Sequence, residues 1–182
     1  YFLAPVYFVL KPLLPRNQRE RIFLLDFLLA VFVAAPLGAL TIVLFYDIIR
    51  TRGLTKFDSL FLSLCLAFAT NHFPFSLALK QRSIVEFLII LVLWIQLAHH
   101  HEKSGIQTGR PLATGIVIGL IPITNYSGII YWPALFLYLF NLYGRRELVK
   151  IGLIACLMQL PLFAQTYVVF GRLGSNIYDD DF

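Results

Sequence analysis

The chain has 182 residues, of which 59% are hydrophobic, 15% aromatic and only 14% charged, and its mean hydropathy is +0.77. A soluble domain of this length needs far more charge to cover its surface, so the composition excludes a water-soluble globule and predicts an integral membrane protein. The net charge of +5 is then a surplus of basic loops facing lipid headgroups, not a nucleic-acid surface.

In chain order, YFLAPVYFVLKPLL (1–14) is short, aromatic and broken by prolines, which predicts an interfacial helix or the tail of a span. After PRNQRER, residues 22–49 form the first clear span, with Pro36 and Gly38 as its kink. RTRGLTK (50–56) is a predicted loop. Residues 57–79 make the second span, interrupted by TNHFPF, and residues 83–98 the third. HHHEKSGIQTGR (99–110) is the longest polar loop. Two short apolar runs follow, 111–124 and 129–143, joined by NYSG, and each is marginal for a full crossing. GRRELVK (144–150) is read as a loop, 151–170 as the final span, and GRLGSNIYDDDF as the beginning of an outer loop.

The fold expected is all-α, a polytopic transmembrane helix bundle with about six membrane segments plus a juxtamembrane helix. It forms one transmembrane domain over 1–182, with 1–21 juxtamembrane, 22–170 membrane helices and 171–182 outside. The start at Tyr1, the single methionine (Met158) and the stop at DDDF predict an internal piece of a longer protein. Cys65 and Cys156 fall inside predicted spans as small soft hydrophobes, without a disulfide or metal spacing.

Loops 50–56, 99–110 and 144–150 carry eight Lys and Arg, and the opposite side carries seven. The count leans towards the first set being cytoplasmic. On that orientation Asn71, His72, Arg82, Glu86, Asn125, Tyr126 and Asp179 to Asp181 gather near the outer face. Polar groups at membrane depth are costly unless they are buried in protein or line a wet cavity, so the gathering predicts a cavity opening outward.

Each candidate also has a structural reading. In KQRSIVEF, Arg82 and Glu86 lie four residues apart on one helix face. They are either an intrahelical ion pair at the bilayer edge, or a guanidinium fork for phosphate oriented by an acid. Asn71 and His72 stand just before Pro74, as helix-end polar groups, or with His72 donating a hydrogen bond to a phosphate or working as a base. TNYSG reads as a turn in which Asn125 and Gly128 supply positive φ. Tyr126 and Trp132 are then interface aromatics, or rings beside a sugar or isoprenoid chain. Asp26 is read as a helix cap. HHHEK (99–103) is a solvated loop in preference to a metal site, because consecutive imidazoles diverge. GIVIG (115–119) fits the small-xxx-small pattern of close helix packing. No P-loop, GxSxG, HExxH or CxxC pattern occurs.

The stretch GRPLATGIVIGLIPITNYSGIIYWPALFLYLF resembles the GT-C membrane glycosyltransferases, in the branch of protein mannosyltransferases and bacterial aminoarabinose transferases. Gly115, Gly119, Leu120, Thr124, Tyr126, Ser127, Gly128, Pro133, Ala134 and Tyr138 follow that family's pattern. LLDFLLAVFVAAPLGALTIVLFYDIIRTRG and LKQRSIVEFLIILVLW are similar to its upstream segments, the second where the family often has an arginine followed by an acid. Asn125 stands where the family often has Lys. The family's catalytic acid lies in the first outer loop, which the resemblance places upstream of Tyr1.

The resemblance implies transfer of a sugar from a polyprenyl-phosphate-linked donor to a glycan, lipid or protein acceptor at the extracytoplasmic face. It implies phosphate or substrate contacts from Arg82, Glu86, His72, Asn71, Asn125 and Tyr126, and a multi-pass home in a prokaryotic plasma membrane. No cofactor is identifiable and no metal ligand is assigned, although a divalent cation is compatible with phosphate chemistry. The alternatives are a polytopic carrier of the transporter or flippase kind, since broken helices with polar residues at depth also build carrier sites, and a non-catalytic membrane scaffold.

Overall fold

The computed structural model describes residues 17–69, 81–97 and 109–170, and every regular element among them is helical. They belong to two compact units, Tyr1–Ile106 and Gln107–Phe182. The expectations for 1–14, TNHFPF, HHHEK and 171–182 lie outside the described residues.

In the first unit, α1 (Gln18–Leu29) runs through a π turn (Ala30–Ala34) into α2 (Ala35–Thr51). The π turn has a local cause. Pro36 has no N–H to give to the carbonyl four residues back, and the ladder lengthens just before it, Ala35 N–H bonding Ala30 O. Where the sequence predicted a kink at Pro36, the helix carries a π turn just before it. Asp26 sits in the middle of α1 and is exposed, so it caps nothing.

The 50–56 connection is tightly specified. Gly53 takes φ +90, the left-handed conformation that glycine tolerates best. The Arg50 guanidinium donates to Leu54 O across the turn. Thr55 then caps α3 (Lys56–Phe68): its Oγ1 accepts from Asp58 N at 3.1 Å and donates to Asp58 Oδ2 at 2.6 Å. α4 (Gln81–Leu97) packs on α2, as does α3.

α3 is inside out by the standards of a water-soluble helix. Its buried residues are Ser59 and Ser63, while Phe57 is 76% and Phe68 67% exposed. The serines spend their hydroxyls on their own helix, Ser59 on Thr55 O and Ser63 on Ser59 O, each at 2.8 Å. Thr41 of α2, 1% exposed, does the same to Leu37 O. Small residues turned inward and large apolar ones outward is the arrangement that suits lipid, where close packing and not water exclusion brings helices together. Two helical stretches, Ile22–Thr51 and Arg145–Ala164, are long and apolar enough to cross a membrane, and their apolar windows are only 22% and 17% buried. Those low fractions separate them from the core helix of a soluble protein and point to membrane association.

The second unit begins with α5 (Gly109–Thr124), followed by a 3-10 helix (Tyr126–Tyr131), α6 (Trp132–Phe140), α7 (Arg145–Leu157) and α8 (Leu160–Phe170). GRRELVK, expected as a loop, is helical from Arg145 onward. Glu147 and Lys150 pair at 2.7 Å across one turn of it, so the polar residues extend the helix instead of interrupting it. The final span breaks at Met158 and Gln159, just ahead of Pro161.

The GIVIG pattern is where α5 meets α7. A Cβ on Gly115 would stand 2.8 Å from Ile154 Cβ, and one on Gly119 would stand 2.6 Å from Met158 Cβ and 3.0 Å from Ala155 O. Neither helix could approach this closely with a side chain at those positions.

Candidate functional site

The polar residues singled out in the sequence fall into two groups, one in each unit. In the first unit, α4 opens with Gln81, Arg82 and Ser83, so Arg82 stands in the first turn and Glu86 one turn later. That spacing puts positions 82 and 86 on one helix face. The following face is well packed: Ser83, Ile84, Val85, Leu88 and Val92 are all buried, Ser83 and Val92 completely. Glu86 is half-buried and engaged within the protein. Only the helical placement of Arg82 is described, not its side chain. Asn71 and His72 lie outside the described residues.

In the second unit, TNYSG is built from the end of α5. Thr124 Oγ1 donates to Ile121 O at 2.8 Å, and Asn125 N reaches the same carbonyl at 3.1 Å. Asn125 is extended (φ −148, ψ 116) and caps the 3-10 helix, its Oδ1 accepting from Ser127 N at 3.1 Å and Ser127 Oγ at 2.8 Å. The positive φ expected of Asn125 and Gly128 is absent: among the described residues Gly53 alone has it. Gly128 serves a different need. A Cβ there would come 2.7 Å from Ile121 Cγ2, so the glycine lets the 3-10 helix fold back onto α5. Asn125 Oδ1 is thus committed to local bonds, and the backbone of Tyr126 opens the 3-10 helix.

Three cross-helix bonds escaped the sequence reading. Pro122, buried inside α5, leaves Ile118 O without its usual i+4 donor. The Trp132 indole donates to that carbonyl at 3.2 Å. Its ring meets Phe136 edge-on, with centroids 6.1 Å apart. One residue further along α5, Gly119 O accepts from Gln159 Nε2 at 2.6 Å, and Gln159 sits at the α7–α8 break. In the first unit, Trp94 Nε1 of α4 donates to Asp47 Oδ2 of α2 at 2.6 Å. Asp47, near the end of the predicted 22–49 span, was not singled out in the sequence. The proline inside an apolar run was the available signal for the Trp132 bond. Pairing Asp47 with Trp94 requires the register of two helices, which no sequence spacing encodes.

Among the described residues no three His, Cys, Asp or Glu side chains group to hold a metal ion. Cys65 and Cys156 are both free thiols. The chain matches no protein-family profile, no curated protein and no solved structure.

Proposed function

We propose that the chain is a multi-pass membrane glycosyltransferase of the GT-C kind, moving a sugar from a polyprenyl-phosphate donor to an acceptor at the extracytoplasmic face. The observation that carries this is the start of α4, where Arg82 occupies the first helical turn and Glu86 the next. A guanidinium one turn from a carboxylate on the same helix face offers a planar donor fork suited to a phosphate leaving group. In the proposal Arg82 steadies the donor phosphate and Glu86 fixes its direction. Asn125 is left out of the phosphate contacts, because its Oδ1 already accepts from Ser127 N and Ser127 Oγ. The acid that deprotonates the acceptor is not assigned to any residue of this chain. The lipid-suited outer surfaces of α3 and of the stretches Ile22–Thr51 and Arg145–Ala164 support the bilayer setting.

A carrier is the second reading, favoured by one specific observation. Helical order is interrupted at the π turn, at the 3-10 helix and at Gln159, and broken helices are how carriers build substrate sites.

Arg82→Gln and Glu86→Gln in the intact membrane protein separate the two. With radiolabelled polyprenyl-phosphate sugar as donor, Arg82→Gln is expected to cut transfer about 100-fold or more at unchanged membrane abundance. Glu86→Gln should lower it less. Full transfer by both variants would end the transferase reading, and loss of substrate flux in proteoliposomes without any transfer activity would establish the carrier.

A further inference from the structure

One end of the second unit collects cations and buried donors with too few acceptors. α5 begins at Gly109, α6 ends at Phe140 and α7 begins at Arg145. Close approaches fix their relative heights: Gly115 against Ile151 and Ile154, and Gly152 against Phe136. Counting from these at ~1.5 Å per residue brings Arg110 level with the first turn of α7, and Tyr138 level with Lys150. Arg110, Arg145, Arg146, Lys150 and Tyr138 therefore share one end, within roughly two helical turns. Among the described residues the acid there is Glu147, and Lys150 already holds it at 2.7 Å.

Two donors at this end are buried and unsatisfied. Arg110 Nε and Tyr138 Oη are shielded from solvent and have no hydrogen-bond partner among the described residues. Such atoms are rare in native proteins because each costs its full desolvation, and a specific one calls for an explanation. Both are N–H or O–H donors, and Arg110 stands level with Arg145 and Arg146, for which no ion pair is found among the described residues. Among the described residues, this end offers these donors no negatively charged group with several acceptor oxygens.

We infer that the shared end of α5, α6 and α7 binds a phosphate group, with Arg110 and Tyr138 donating to its oxygens and Arg145 and Arg146 supplying the surrounding positive field. Guanidinium and phosphate match in geometry and charge, and anionic headgroups are attracted by basic residues at a membrane surface. An anionic phospholipid headgroup and a free phosphate offer the same chemistry. The inference stands apart from the transferase reading, since it uses none of Arg82, Glu86, His72 or Asn71.

The test is native mass spectrometry of the intact detergent-solubilised protein, titrated separately with phosphatidylglycerol, phosphatidylcholine and inorganic phosphate. Phosphatidylglycerol should be retained over phosphatidylcholine, or inorganic phosphate should bind by itself. Displacement of the lipid by millimolar inorganic phosphate would identify the phosphate group alone as ligand, and resistance to displacement would identify the lipid. Arg110→Gln should weaken retention about fivefold or more, and Tyr138→Phe about twofold to fivefold, while Arg52→Gln in the other unit leaves it unchanged. Should Arg110→Gln fail to fold, Tyr138→Phe decides, because it removes one hydroxyl and keeps the ring. Retention equal to the parent in Tyr138→Phe and in folded Arg110→Gln, or an equal loss in Arg52→Gln, would overturn the site.

Discussion

The two units hold their helices together by different devices. In the first, buried Ser59, Ser63 and Thr41 bond back to their own helices and so present small, nearly apolar faces to their neighbours. One side-chain pair, Asp47 and Trp94, joins α2 to α4. In the second, glycines remove the side chain altogether, and Trp132 and Gln159 donate to carbonyls of α5 next to Pro122. The difference teaches that a proline in a membrane-grade helix creates a specific acceptor. A donor on a neighbouring helix can then use it, as Trp132 does at Ile118 O, while Gly119 O, which keeps its helical donor, takes a second bond from Gln159.

That contrast is broken most severely at Gly119. Gly119→Val should destabilise the protein by ~2–3 kcal/mol or more, since the first added carbon already collides with Met158 Cβ and the Ala155 backbone. Denaturant unfolding in mixed micelles would measure it, and a neutral result would mean that α5 and α7 are not in close contact.

The proline argument is sharpened by a double-mutant cycle. Trp132→Phe should cost ~1–2 kcal/mol by leaving Ile118 O unpaired. In a Pro122→Ala background the restored N–H can take that carbonyl, so the same change should cost less than half as much. Equal costs in both backgrounds would show that the indole bond and the proline are unrelated.

In the first unit, Trp94→Phe should cost ~0.6–1.7 kcal/mol, the range of side-chain hydrogen bonds between membrane helices. Asp47→Asn keeps an acceptor and should cost less, with a shift in Trp94 fluorescence as its readout. Smallest of all, Ser63→Ala should stay within ~0.5 kcal/mol, because a hydroxyl bonded to its own helix adds little to cohesion. A large loss there would mean that the serine reaches across to another helix.

Much of the helical layout was legible because apolar runs and their polar gaps follow from the bilayer's dimensions. The irregularity at Pro36 and the close packing at Gly115 and Gly119 were legible for the same kind of reason: a missing N–H and a missing Cβ act locally. GRRELVK was misread because polarity marks where a helix leaves lipid, not where it ends. Asn125 and Gly128 were misread in detail, since a glycine needed for close approach looks the same in sequence as one needed for positive φ. Of the candidate site, the helical spacing of Arg82 and Glu86 was legible. The Asp47–Trp94, Trp132–Ile118 and Gln159–Gly119 bonds were not, because each joins residues whose nearness depends on helix register.

The 3-10 helix has one more consequence, which concerns reach. Its six residues advance at ~2.0 Å each, against ~1.5 Å for the nine of α6. Tyr126 to Phe140 thus extends ~25 Å, where an unbroken α-helix of the same length would stop near ~22 Å. The tighter winding lengthens by ~3 Å a segment that is still shorter than a hydrocarbon core of ~30 Å. A short apolar segment gains height here by narrowing its coil instead of adding residues.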